Sequence, residues 1–259
     1  MKRSDLICEN SEIDYDIGEA SVHTYFSHGT KYTETLIPRN CGYERPGRYY
    51  TIYDGEGDVK KCAADILSSL ISCRRALVSG LGNKNVCSDS LGAKALKYIP
   101  ATAHLSEHSE FKELDMREVF VLETGVTGKT GIESSERIAC MAAFTKAEAV
   151  IVIDSLACSE TERLCSTIQI TDTGIAPGSG VGNDRKALNS DSCGVPVIAV
   201  GVPTVIDLDS IRGGSGSGLM VTPRNIDSVT ERFAYIIGTA VSSALNPTLT
   251  EEEIRSLII

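Results

Sequence analysis

Two aspartates stand just after apolar runs. Asp89 follows Ala76-Leu77-Val78 and the turn Gly80-Leu81-Gly82-Asn83; Asp154 follows Val150-Ile151-Val152-Ile153. Carboxylates at the carboxyl ends of neighbouring parallel strands face one crevice. If they approach closely they cannot both ionise cheaply, so one keeps a proton and acts as an acid while the other acts as a base toward water. Peptide hydrolysis needs that division of labour. Taken singly, each residue has a plainer reading. Asp89 is placed as a helix N-cap, and Asp154 as a carboxylate that orders a loop.

A third chemical feature is the segment 167–183, TIQITDTGIAPGSGVGN, with Gly174, Gly178, Gly180 and Gly182 close together. Glycines at such density can turn several backbone N–H groups toward one point. Gly178, Gly180 and Gly182 are the candidates for holding a substrate carbonyl or its oxyanion. The alternative is a structural loop over a sheet edge.

Other chemistries fit poorly. Gly80-Leu81-Gly82 lacks the third glycine and the later acidic residue of a dinucleotide fingerprint, and Gly128-Lys129-Thr130 ends like a P-loop but has Glu123 where its first glycine belongs. The four histidines all precede the glycine-rich segment and no G-x-S-x-G elbow occurs, so a Ser–His–Asp triad is not supported. His104 and His108 have zinc-like spacing without further ligands nearby and read as a surface pair. The nine cysteines include no C-x-x-C and are odd in number, which fits reduced, mostly buried thiols better than a disulfide framework or zinc knuckle. No metal site or cofactor is expected.

The elements that must position these residues alternate strand with helix. Residues 58–74 carry Val59, Cys62, Ala63, Ile66, Leu67 and Leu70 at helical spacing. Strands are expected at 75–79, 117–122, 149–153, 166–170 and 196–201, and helices from Asp89 to Tyr98, Ile132 to Phe144, Asn225 to Leu245 and Glu251 to Ile259. Arg48-Tyr49-Tyr50-Thr51-Ile52-Tyr53 reads as an edge strand. The pattern predicts a single α/β domain over 1–259, with a doubly wound, mainly parallel sheet covered by helices on both faces. Residues 1–46 read as an irregular N-terminal segment, and 213–218 as a flexible glycine loop. Ligands in such sheets bind beyond the carboxyl ends of the strands.

Composition narrows the class. The chain has 259 residues, is 42% hydrophobic and has no Trp, so its core is aliphatic, as suits a sheet buried on both faces. A net charge of -10 argues against direct binding of nucleic acid. No segment has the length and apolarity of a membrane span or signal peptide, which predicts a cytoplasmic protein.

Segments 80–92 (GLGNKNVCSDSLG), 124–136 (TGVTGKTGIESSE), 150–158 (VIVIDSLAC), 167–185 (TIQITDTGIAPGSGVGNDR) and 194–211 (GVPVIAVGVPTVIDLDSI) closely resemble the germination proteases of spore-forming bacteria. The likeness runs from about Asp5 to Pro247. It implies an endopeptidase, an atypical aspartic peptidase that degrades small acid-soluble spore proteins during germination. It also implies a homotetramer in the forespore or spore core and an α/β fold similar to that of hydrogenase maturation proteases. The family has two essential aspartates. By motif the first falls in S-D-S-L-G, hence Asp89, and the second in V-I-D-S-L, hence Asp154, with Asp172 in reserve. Members are usually made as precursors, and Lys2-Arg3-Ser4-Asp5-Leu6 resembles the residues just after the propeptide, so either no zymogen stage or a different control is expected. The other readings are a metal-dependent maturation-type endopeptidase using the aspartates as ligands, and a non-catalytic relative that binds spore proteins.

Overall fold

The computed structural model describes residues 4–9, 20–39, 45–178, 186–213 and 217–258. Three strands lead, β1 (Ser21–Ser27), β2 (Thr30–Ile37) and β3 (Gly47–Tyr53), followed by helix α1 (Val59–Leu70). Then come β4 (Arg75–Leu81), α2 (Leu91–Ala95), α3 (Ser109–Glu113), β5 (Glu118–Gly125), α4 (Thr127–Thr130), α5 (Ser134–Thr145) and β6 (Ala149–Cys158). The rest is β7 (Thr167–Thr171), α6 (Ser190–Cys193), β8 (Val197–Asp207), α7 (Leu208–Arg212), β9 (Met220–Val221), α8 (Ile226–Leu245) and α9 (Glu251–Ser256).

The nine strands among the described residues form one sheet in the order β1-β2-β3-β7-β8-β6-β4-β5, with β9 on the end of β8. Its heart is four parallel strands, β8-β6-β4-β5. Their side chains alternate between two cores. Val78, Ile151, Ile153 and Val200 pack under α1, α2 and α8. Leu77, Leu81, Val150 and Val152 pack under Ile138 and Ala142 of α5. The expected α/β architecture with helices on both faces is therefore present. Helix α1 forms where the apolar spacing placed it, and Asp58 caps it by accepting the Lys61 N–H at 3.0 Å. Its Leu67 is fully buried, and truncating such a side chain costs about 2–5 kcal/mol.

Several expectations need correction. The sheet is mixed, not mainly parallel, because β7 runs antiparallel to β8 and carries β3, β2 and β1 with it. Residues 1–46 are not irregular throughout, for they contain the β1–β2 hairpin. Its turn, His28-Gly29, has positive φ at both residues (50° and 76°), as a type I′ turn requires, yet it lacks the familiar Asn-Gly signature. Most of β1 is exposed, so no alternation in the sequence announces it. Strand β3 is interior, between β2 and β7, and not an edge. Of the glycine loop at 213–218, residues 214–216 lie outside the described residues; Gly213 caps α7 with φ 69°. No helix among the described residues is long and apolar enough to cross a membrane.

Candidate active site

The connections around β4 create the crevice. From β4 the chain passes through α2, on the α1/α8 face, to β5 on one side. From β5 it passes through α5, on the other face, to β6 on the opposite side of β4. The chain leaving β4 turns toward β5 and the chain leaving β6 turns the other way, toward β7 and β8, which makes the junction of β4 and β6 the topological switch point of the parallel strands. Strand β4 stops at Leu81, whereas β6 continues to Cys158 in pairing with β8. A gap therefore opens beside β6 immediately beyond the end of β4.

Asp154 borders that gap. It does not end its strand, as the apolar run suggested, but sits within β6 opposite Gly201 of β8 and is 5% exposed. Its Oδ1 accepts the Ser155 N–H at 2.8 Å. Val150 gives its N–H to Pro196, which leads into β8, so by alternation Ser155 turns its backbone to the β4 side. The carboxylate is thus drawn to the edge that β4 vacates.

Asp89 reaches the same place from the other direction. It is not the N-cap of α2; that position belongs to Ser90, which makes no side-chain capping bond. Asp89 closes a short 3₁₀ turn, Cys87–Asp89, and its Oδ2 accepts the Asn83 N–H at 2.8 Å. Gly82 permits this contact. It has φ +87°, and a Cβ there would lie 2.1 Å from the Asp89 carbonyl oxygen and 2.9 Å from Oδ1. The turn also reaches β8, since Thr204 Oγ1 donates to the Ser88 carbonyl at 2.6 Å. Tied to the end of β4 at one point and to β8 at another, it passes across β6, the strand that bears Asp154. Gly92 seats the following helix on the sheet, for a Cβ there would lie 2.4 Å from the Ile153 carbonyl oxygen and 2.5 Å from that of Leu81.

The other candidates fare differently. Asp172 is exposed beyond the end of β7, where its Oδ1 accepts the Arg48 N–H at 2.8 Å. Because β7 is antiparallel to β8, with Thr171 level with Ala199 and so with Val152, Asp172 lies toward the amino ends of the parallel strands. The fold does not bring it to the crevice. Gly178 is half-buried with φ 75°, in a loop that Ile175 and Leu188 fasten to the α5 face, the side from which Asp154 departs. Gly180 and Gly182 lie outside the described residues. His104 and His108 are both exposed. Among the described residues no three His, Cys, Asp or Glu side chains cluster as metal ligands.

Sequence reasoning missed the N-terminal border of the crevice. Asp5 bonds the vacated edge of β6 twice, N–H to the Ala157 carbonyl at 2.9 Å and Oδ2 from the Ala157 N–H at 2.8 Å. Glu9, with a side chain 1% exposed, accepts the Ser159 N–H at 2.6 Å, its hydroxyl at 2.8 Å and the Glu160 N–H at 3.1 Å. Neither residue has a local signal, because both partners lie about 150 positions away.

Fold and site together define an α/β protein whose Asp89 and Asp154 both border the crevice at the switch point of its sheet. The germination protease family pattern matches residues 64–215. A germination protease of Caldanaerobacter subterraneus subsp. tengcongensis is 34% identical, over 99% of this chain and 98% of that one. One from Clostridium tetani is 36% identical, over 99% of each. The chain belongs to the germination protease family, and it is a peptidase. Among solved structures, the [NiFe] hydrogenase maturation protease HycI from Thermococcus kodakarensis KOD1 is 20% identical, with a TM-score of 0.40 over 68% of this chain and 98% of that one. At that level nothing about function follows from it.

Proposed function

We propose that this protein is an endopeptidase that hydrolyses small acid-soluble spore proteins during germination, using Asp89 and Asp154 as a proton-sharing pair. The observation that carries the reading is the turn that holds Asp89 against the end of β4 and spans to β8 across the strand bearing Asp154. Family membership supports a peptidase of germination, and the spore-protein substrate and the homotetramer of the spore core are what the sequence resemblance implies.

The chemistry follows from the pair. One carboxylate takes a proton from water as the oxygen attacks the scissile carbonyl carbon, and the other gives its proton to the carbonyl oxygen. The resulting tetrahedral diol collapses as the C–N bond breaks. The amine leaves with the proton first taken from water, and the hydroxyl on the former carbonyl oxygen returns its proton to the second carboxylate. The pair is restored without a covalent intermediate. Gly178, Gly180 and Gly182 keep their proposed part in binding the substrate carbonyl.

The test is incubation with purified small acid-soluble spore proteins, read by mass spectrometry, for the wild type and for Asp89→Asn and Asp154→Asn. Both variants should fold, by circular dichroism, and lose at least about 10³-fold in rate, as expected when one member of a catalytic pair is removed. Full cleavage by either folded variant refutes the pair. Loss of wild-type activity on chelation, restored by a divalent cation, would favour the aspartates as metal ligands instead.

A further inference from the structure

The segment Gly128-Lys129-Thr130 has no part in the mechanism above, yet the fold links its lysine to Asp89 through one residue and two hydrogen bonds. Lys129 Nζ donates to Asn83 Oδ1 at 2.7 Å, and the Asn83 N–H donates to Asp89 Oδ2 at 2.8 Å. The same Asn83 oxygen also accepts the Asn85 N–H at 3.1 Å, which folds the turn back on itself. One amide thus lies between a cation and a carboxylate, its side chain facing the first and its backbone the second.

The lysine is held for this contact. Helix α4 is a single turn that ends at Gly131, whose N–H returns to the Thr127 carbonyl at 2.8 Å with φ 71°. Thr130 Oγ1 then accepts the Ile132 N–H at 3.2 Å. Neighbouring charges are engaged elsewhere, since Lys84 pairs with Glu123 at 2.9 Å and Lys186 with Glu136 at 2.5 Å. Among the described residues Lys129 has no carboxylate within ion-pair reach. Its bond joins two separate connections, the one after β4 and the one after β5, on the rim of the crevice. A lysine used only for solubility would leave its ammonium in water.

We propose that Lys129 is a positioning residue for Asp89, acting through Asn83. Its ammonium fixes the Asn83 side chain, which fixes the peptide plane whose N–H orients the carboxylate. This rests on the reading of Asp89 as catalytic. A charge-assisted hydrogen bond of this kind, partly screened by solvent, corresponds to roughly a tenfold effect on rate.

The experiment measures kcat and KM on a small acid-soluble spore protein for Lys129→Met, Lys129→Arg, Asn83→Ala and the Lys129→Met/Asn83→Ala double variant, with Asp89→Asn alongside. Lys129 is exposed, so the two single Lys129 variants should keep the wild-type melting temperature. Lys129→Met should lower kcat about tenfold and leave KM within about twofold, because a positioning contact acts on the reacting group and not on substrate affinity. Lys129→Arg, which can still donate to the amide, should recover most of the loss. In the Asn83→Ala background Lys129→Met should change kcat by less than about twofold, because the intermediary is already gone. An unchanged kcat, a rise in KM alone, or additive losses in the double variant would overturn the proposal. Retained cleavage by Asp89→Asn would overturn the catalytic reading and this proposal together. An inactive Asp89→Asn beside a normal Lys129→Met would overturn the positioning role alone.

Discussion

Replacing Gly82 by alanine tests the turn that presents Asp89. Its φ of +87° costs a residue with a Cβ about 1–2 kcal/mol. The added Cβ would also lie 2.1 Å from the Asp89 carbonyl oxygen, a backbone atom that no rotamer change can move aside. Forced displacement of packed atoms adds about 1–3 kcal/mol, so Gly82→Ala should destabilise by about 2–5 kcal/mol. Gly131 supplies the control. It has a similar φ of +71°, and a Cβ there would meet nothing within 4 Å, so Gly131→Ala should cost only the conformational part, about 1–2 kcal/mol. Urea unfolding followed by circular dichroism gives both values, provided the m-values agree. Under folded conditions, Gly82→Ala should also lose most peptidase activity, because the displaced carbonyl belongs to Asp89 itself. Equal destabilisation by the two substitutions would refute the close approach of the turn to Asp89. Full activity in a destabilised Gly82→Ala would refute the link between that turn and the chemistry.

Three further outcomes are expected. Glu9→Ala should lower stability by about 2–4 kcal/mol in urea melts, since it leaves the N–H and the hydroxyl of the buried Ser159 without their carboxylate. Ser79 and Thr124 share a hydrogen bond inside the α5-side core, so Ser79→Ala should cost about 1–3 kcal/mol while the Ser79→Ala/Thr124→Val double variant costs less than the sum of the two singles. Burial pushes the thiols of Cys62 and Cys165 up to about 11 and that of Cys158 up to about 12, from an ordinary value of 9.0. The folded chain therefore holds these protons where the unfolded chain releases them. Their contribution is complete below pH 9 and is lost as the pH climbs through 11 to 12, so the urea midpoint should fall between pH 8 and pH 11.

The sequence by itself determined the parts whose signals are local. Apolar runs at 75–79 and 149–153 marked two central strands, helical spacing marked α1 and α8, and the order of motifs marked the family. It also singled out Asp89 and Asp154, although their plainer roles stayed open. Tertiary structure set aside the plainer roles. Asp89 gives up the cap position because Gly82 lets its carboxylate fold onto the Asn83 N–H, and Asp154 lies within a strand whose neighbour has ended. Asp172, equally polar and equally close to glycines, is carried to the other end of the sheet because β7 runs antiparallel. The hairpin β1–β2, the docking of Asp5 and Glu9, and the bond from Lys129 to Asn83 were likewise invisible in the chain. Each depends on partners that only strand order and direction bring together, and spacing along a chain records neither.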